Sequence, residues 1–269
     1  MAAVEVKLLS GPSKEIVEKA GSWNFSGKTA VVTGASKGIG REIAVALYKA
    51  NAKVFALARN EKQLKQLEKE YPGINPVVVD VCNSNELQDA MERIGDIDML
   101  VNNAGISHFG DVLEDHSFED FERVIATNLR APFICIQIAA RNMKKRGSGG
   151  SIVNISSVAS LTPPPCLVAY CASKGGLDGL TKSFANDLGV HQIRVNSVNP
   201  TVVFTDMGRA TWEPRENHLP FLKQIPLQRF AEVHDVVEPV MFLLSDKANM
   251  ITGSTLPVDG GSVHSVLLK

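Results

Sequence analysis

Apolar and polar positions follow two periods along this chain. Short apolar runs, bounded by glycine or polar residues, recur at 29–33, 53–58, 75–80, 98–101, 151–155, 193–198 and 254–258. Runs this short predict buried strands. Between them lie stretches with apolar residues three and four apart, near 38–50, 61–71, 85–93, 117–146, 168–189 and 233–245. Those predict amphipathic helices. The alternation predicts an α/β fold, doubly wound, with a parallel sheet covered by helices on both faces. Right-handed crossovers then place a ligand at the carboxyl ends of the strands.

The chain has no internal repeat and no low-complexity segment, and GSGG at 147–150 is too short to separate domains. Its 269 residues suit one such domain, expected over 25–269. Residues 1–24 form an extension ahead of the first strand. They lack the apolar core of a secretory signal. They carry Glu5, Glu15 and Glu18 and no arginine, which argues against a mitochondrial presequence. A short helix is expected from Ser13, as its cap, through Glu18, with Gly21 closing it.

Chemistry enters at KTAVVTGASKGIG. The first strand runs through Gly34, Gly38 and Gly40 into a helix carrying Ile39, Ile43 and Leu47. Glycines there permit a tight turn, close approach to a pyrophosphate and close helix–strand packing. The helix N-terminus then offers free N–H groups to phosphates. The spacing is TGxxxGxG rather than GxGxxG, so the dinucleotide fingerprint is met in its physics but not in its register.

The second constellation is Tyr170 and Lys174, four residues apart, with Ser157 thirteen residues upstream. On a helix the i and i+4 side chains share a face. A phenol has a pKa near ~10, and a neighbouring ammonium is expected to lower it. Ser157, at the end of a strand, can hold a carbonyl oxygen. Together the three suit proton delivery to a developing alkoxide, one half of a carbonyl reduction.

These pieces carry a resemblance. TGASKGIG at 33–40, Asp80-Val81, NNAG at 102–105, Asn128 in TNLRAPF, Ser157, YCASK at 170–174 and NPTVVFT at 199–205 resemble the short-chain dehydrogenase/reductase family over about 25–261. The resemblance implies a Rossmann-type sheet of seven strands in the order 3-2-1-4-5-6-7. It implies Asn128, Ser157, Tyr170 and Lys174 as the catalytic residues, Asn128 bending its helix and holding a water near Lys174. It also implies cofactor contacts from Gly34, Ser36, Lys37, Gly38, Ile39 and Gly40 in the first loop. Asp80 and Val81 would sit at adenine, and Asn102, Ala104 and Gly105 beside the ribose. Pro200, Val203 and Thr205 would meet the nicotinamide, with Tyr170 and Lys174 between. Thr201 stands where many members have glycine. The family further implies a homo-oligomer, commonly a homotetramer.

The cofactor is narrowed by the second strand. It ends in Ala58-Arg59-Asn60, with no acid to accept hydrogen bonds from a ribose. Arg59 offers a guanidinium suited to a phosphate, and Lys37 adds a second cation. Both resemble the members that prefer NADP(H).

Residues 199–212 resemble the loop of the L-xylulose (dicarbonyl) and tetrameric carbonyl reductases, with Trp212 either a pocket wall or loop packing. The facing wall departs from that subgroup: Val158, Leu161, three prolines at 163–165 including Pro164, and Leu167 are apolar. A polyol-like ketose needs hydroxyl partners. Small diketones, other ketones, aldehydes and quinones therefore stand beside L-xylulose as substrates. The reading is an NADPH-dependent carbonyl reductase acting on a small carbonyl substrate. A reductase of the same fold for a steroid, alkaloid, quinone or acyl-thioester ketone, and a non-enzymatic NADPH-binding protein, stay open.

Composition narrows the rest. The formal net charge of −1 and pI of about 6.6 give no footprint for nucleic acid or anionic membrane. No apolar run reaches the roughly 18–20 residues of a membrane span. The four cysteines, Cys82, Cys135, Cys166 and Cys171, make no CxxC, and no spacing points to a metal. They suit a reducing compartment, so a cytoplasmic location is expected.

Overall fold

The computed structural model describes residues 23–205 and 221–265. The helix expected over 13–18, Trp212 and residues 266–269 lie outside the described residues. In chain order the elements are β1 (Thr29–Thr33), α1 (Gly38–Lys49), β2 (Lys53–Ala58), α2 (Glu61–Glu70), β3 (Ile74–Val78), α3 (Ser84–Ile94), β4 (Met99–Asn102), α4 (Phe118–Ile125), α5 (Ala131–Arg146), β5 (Gly150–Ile155), α6 (Val168–Leu188), β6 (Ile193–Pro200), α7 (Val233–Leu244) and β7 (Thr255–Val258). The strands form a seven-stranded sheet in the order β3-β2-β1-β4-β5-β6-β7, with every pairing parallel. This is the expected topology.

Strand alternation sorts the core onto two faces. Ala30 and Val32 of β1 join Ile43 and Leu47 of α1 and Val236 and Val240 of α7 in one buried cluster. Val31, between them, joins Leu87 and Met91 of α3 and Ile136 and Met143 of α5 in the other. Each such side chain, fully buried, contributes on the order of 1.5–3 kcal/mol. Helices on both faces leave the carboxyl ends of β1, β4 and β5 as the open edge.

The expected helix over 117–146 is not continuous. A π-helical stretch, Ala126–Arg130, separates α4 from α5, and the N–H of Ala131 reaches back to the Ala126 carbonyl. Two causes act here. Pro132 has no N–H to continue the ladder. The buried Asn128 side chain is held from outside the helix, accepting from the Ile106 N–H at 2.9 Å and donating to its carbonyl at 2.8 Å. Such a bulge re-aims one side chain within a long helix.

β1 and β4 are tied at their ends. The Asn103 side chain donates to the carbonyls of Thr33 and Gly34 at 3.0 and 3.1 Å. The Thr33 hydroxyl accepts from the N–H groups of Asn103 and Ala104, both at 3.0 Å. Gly40 sits against this knot: a Cβ there would lie 2.2 Å from Asn103 Nδ2 and 2.5 Å from the Gly34 oxygen. The gain in helix propensity from alanine, about 1 kcal/mol, is smaller than the strain of moving backbone. Gly40→Ala is expected to lose about 1–2 kcal/mol in urea unfolding; an unchanged midpoint would contradict this packing.

Candidate active site

The carboxyl ends of the strands open into one cavity of about 1070 Å³. At one end β1 turns into α1 through Gly34 and Gly38, both with positive φ (66° and 57°). Gly34 has no room for a side chain, since a Cβ would lie 2.8 Å from the Ala104 Cα. The first turn of α1 has no acidic residue, and Lys37, at its N-cap, makes no side-chain cap. Its N–H groups are thus left for an anion. Ser36, Lys37 and Ile39 line the cavity beside them. Farther along the same wall the exposed Arg59 lies 3.7 Å from the half-buried Asp80. Val81, Ala104 and Gly105 complete this side. The glycine cradle, the uncapped helix start and the cation at the end of β2 fit a nicotinamide dinucleotide.

At the other end the reacting groups come from β5 and α6. The sequence leaves β5 in an extended conformation at Ser157, whose hydroxyl accepts from the Ala159 N–H at 3.1 Å and caps a short turn, Val158–Ser160. The half-buried Tyr170, in the first turn of α6, lines the cavity beside Ser157, whose side chain favours its phenolate. Lys174, one turn along, is 4% exposed. Its ammonium donates to the Ile155 carbonyl at 2.7 Å and lies 5.6 Å from the Tyr170 ring centre. Val158, Pro164, Leu167, Pro200, Val203 and Thr205 line the same cavity.

The electrostatics correct one expectation. Tyr170 is pushed up from the ordinary phenol value, because burial of the phenolate outweighs the Ser157 hydrogen bond. Lys174 does not depress it with the protein's own groups alone; the ammonium sits beside the ring and is held by Ile155. Burial drives Lys174 down to about 8, opposed by the Asp178 carboxylate.

Three expected site residues do not line the cavity. Gly40 is packed on Asn103 and Gly34. Asn102 is the last residue of β4 and pairs with Asn154 of β5. It is 2% exposed and donates to Asn154 Oδ1 at 2.8 Å. The neighbouring Asn103 lines the cavity in its place. Asn128 is fully buried behind the wall, donating to the Ser173 hydroxyl at 3.0 Å. Its Oδ1 and the Lys174 ammonium converge on one side of Gly105, each 3.5 Å from where a Cβ would stand. Phe109 and Phe221 were not expected, yet both line the cavity. Phe109, in the polar loop after NNAG and 69% exposed, was the legible one.

A family model described as enoyl-(acyl carrier protein) reductase matches residues 34–263. An L-xylulose reductase of Bos taurus is 47% identical over 237 residues, covering 88% of this chain and 97% of that protein. A carbonyl reductase [NADPH] 2 of Sus scrofa is 46% identical over 242 residues, covering 90% and 99%. A short-chain type dehydrogenase/reductase of Mycobacterium ulcerans has a solved structure that superposes with a TM-score of 0.86 at 33% identity, covering 90% and 92%.

The chain belongs to the short-chain dehydrogenase/reductase family. It is therefore an oxidoreductase using a nicotinamide cofactor. No helix among the described residues of this short-chain dehydrogenase/reductase is long and apolar enough to cross a membrane.

The buried ammonium has a stability signature. Folded, Lys174 binds fewer protons between pH 8 and its ordinary value of 10.5. Stability therefore gains from this group as pH rises through that window, and its full cost is present below about 8. Lys174→Met removes this titration and also strands the buried Asp178 carboxylate, so it is expected to flatten the rise of stability between about pH 8 and 10.5. An unchanged rise over that window, read from melting temperature against pH, would contradict it.

Proposed function

We propose that this short-chain dehydrogenase/reductase is an NADPH-dependent carbonyl reductase for small ketones and dicarbonyls. The observation that carries this is the placement of Ser157, Tyr170 and the buried Lys174 on one cavity wall, in a cavity whose opposite end presents Lys37 and Arg59. The relatives that are named L-xylulose reductase and carbonyl reductase [NADPH] support the same reading. The two cations favour a 2′-phosphate over a bare ribose.

The cofactor, when bound, supplies a hydride to the carbonyl carbon. The Ser157 hydroxyl and the Tyr170 phenol hold the substrate oxygen, and Tyr170 delivers its proton there. Lys174 uses one N–H on Ile155, leaving the others for ribose hydroxyls. Its charge favours the phenolate left after transfer. Asn128 fixes the segment around Ile106 and Ser173 and, through water, links Lys174 to solvent.

The substrate end is apolar among the described residues: Ile106, Phe109, Val158, Pro164, Leu167 and Phe221. Each hydroxyl buried there without a partner costs about 1–3 kcal/mol. Diacetyl and aromatic ketones are thus expected to turn over faster than L-xylulose. Residues 25–269 act as one catalytic domain. A homotetramer is supported by an exposed apolar groove between Leu129, Phe133 and Leu180.

Side-by-side NADPH oxidation with diacetyl, an aromatic ketone and L-xylulose tests the substrate; preference for L-xylulose would overturn the apolar-wall reading. Tyr170→Phe is expected to lower kcat about 10²–10⁴-fold with NADPH affinity kept; normal turnover would remove Tyr170 as donor. Arg59→Asp is expected to raise the KM for NADPH at least about tenfold and leave that for NADH unchanged. Equal effects on both would refute the phosphate contact.

A further inference from the structure

Tyr170, Lys174 and Asp178 stand at four-residue spacing on one face of α6. The third has no part in the chemistry above. Asp178 is 5% exposed. Its Oδ2 accepts from the Ser160 hydroxyl at 2.5 Å and from Asn199 Nδ2 at 2.9 Å. The Ser157 carbonyl oxygen lies 2.7 Å from Ser160 Oγ and 3.0 Å from Asn199 Nδ2, and Asn199 Nδ2 lies 2.9 Å from Ser160 Oγ, so one hydroxyl hydrogen and two amide hydrogens are shared among these oxygens. The carboxylate is thus the common acceptor of a network whose other end is the peptide of Ser157.

Its second oxygen, Oδ1, is buried with no hydrogen-bond partner. Burying a carboxylate with an unsatisfied oxygen is costly, and an amide or an apolar residue would seat the helix at lower cost. The charge therefore needs a reason beyond packing. One turn away Lys174 is also buried, and the Asp178 charge acts on it through space in favour of the ammonium. Among the described residues, the groups that meet this pair from other elements are uncharged: the Ile155 carbonyl of β5, the Ser160 hydroxyl, the Asn199 amide of β6 and the Asn128 amide. On the helix itself the titratable neighbours are Tyr170 and Cys171.

We propose that Asp178 is a positioning residue for the reaction, fixing Ser157 through Ser160 and Asn199 while its charge holds Lys174 as an ammonium. It touches neither substrate nor cofactor and acts through the groups that do. The proposal rests on the reading of Ser157, Tyr170 and Lys174 as the reacting groups.

Its two arms separate in two variants of the full chain. Asp178→Asn removes the charge and keeps the shape. An ammonium that activity requires is then lost at lower pH, so the alkaline limb of kcat moves down by about half a pH unit or more. kcat at the optimum falls about 10- to 100-fold as Ser157 loosens. Ser160→Ala keeps the carboxylate and removes one link; kcat falls and the limb stays. NADPH affinity, by fluorescence titration, is expected unchanged in both. A wild-type limb and kcat in a folded Asp178→Asn overturns the proposal, as does a fall in kcat matched by loss of melting temperature and NADPH affinity. If Asp178→Asn does not fold, Ser160→Ala decides alone: wild-type kcat there overturns it. Tyr170→Phe runs alongside. Full activity in that variant overturns the site reading and this proposal with it, whereas an inactive Tyr170→Phe beside an unaffected Asp178→Asn removes Asp178 only.

Discussion

The buried ammonium of Lys174 is what the rest of the site is arranged around. At 4% exposure it has lost most of its hydration, and burial lowers its pKa to about 8. Three features keep it in place. The Ile155 carbonyl accepts one of its hydrogens at 2.7 Å. Gly105 leaves the space that a side chain would fill. Asp178 supplies a compensating charge one turn along the helix. Tyr170 and Ser157 take their positions from the same helix and the same strand end. A lysine near neutral charge balance is costly to the fold and useful to a proton donor, the trade seen where activity and stability compete.

The cavity is electrostatically polar along its length. Its dinucleotide end has cations and the uncapped start of α1. Its substrate end is walled by proline, leucine and phenylalanine. Water is a poor competitor at the apolar end, which strengthens the polar contacts that Tyr170 and Ser157 offer a substrate oxygen. The π-helical stretch adds rigidity behind the wall. Asn128 is hydrogen-bonded to Ile106 and Ser173, which ties the loop after β4 to the start of α6.

Much of this was legible in the sequence. Apolar runs separated by amphipathic stretches located the strands and helices, with ends displaced by at most two residues, and the family resemblance implied the strand order. The i, i+4 pair of Tyr170 and Lys174 and the glycine turn located both ends of the cavity. Other parts were not legible, for physical reasons. The π stretch depends on a hydrogen bond between Asn128 and a loop some twenty residues away in the chain. Asn102 and Asn103 differ only in which side of a strand end they face, and a shift of one residue exchanges them. The Tyr170 pKa depends on burial, which spacing does not reveal. Asp178 reads as an ordinary helix carboxylate until β6 brings Asn199 against it.

The central claim is that this cavity joins hydride supply at one end to proton delivery from Tyr170 at the other. The most direct measurement is the fate of deuterium from NADPH labelled at the transferable C4 position, with diacetyl as acceptor. The account predicts one deuterium on the carbinol carbon of the product, formed about 10²–10⁴-fold more slowly when Tyr170 is replaced by phenylalanine. Tight NADPH binding with no label in any carbinol, across diacetyl, aromatic ketones and L-xylulose, would contradict it.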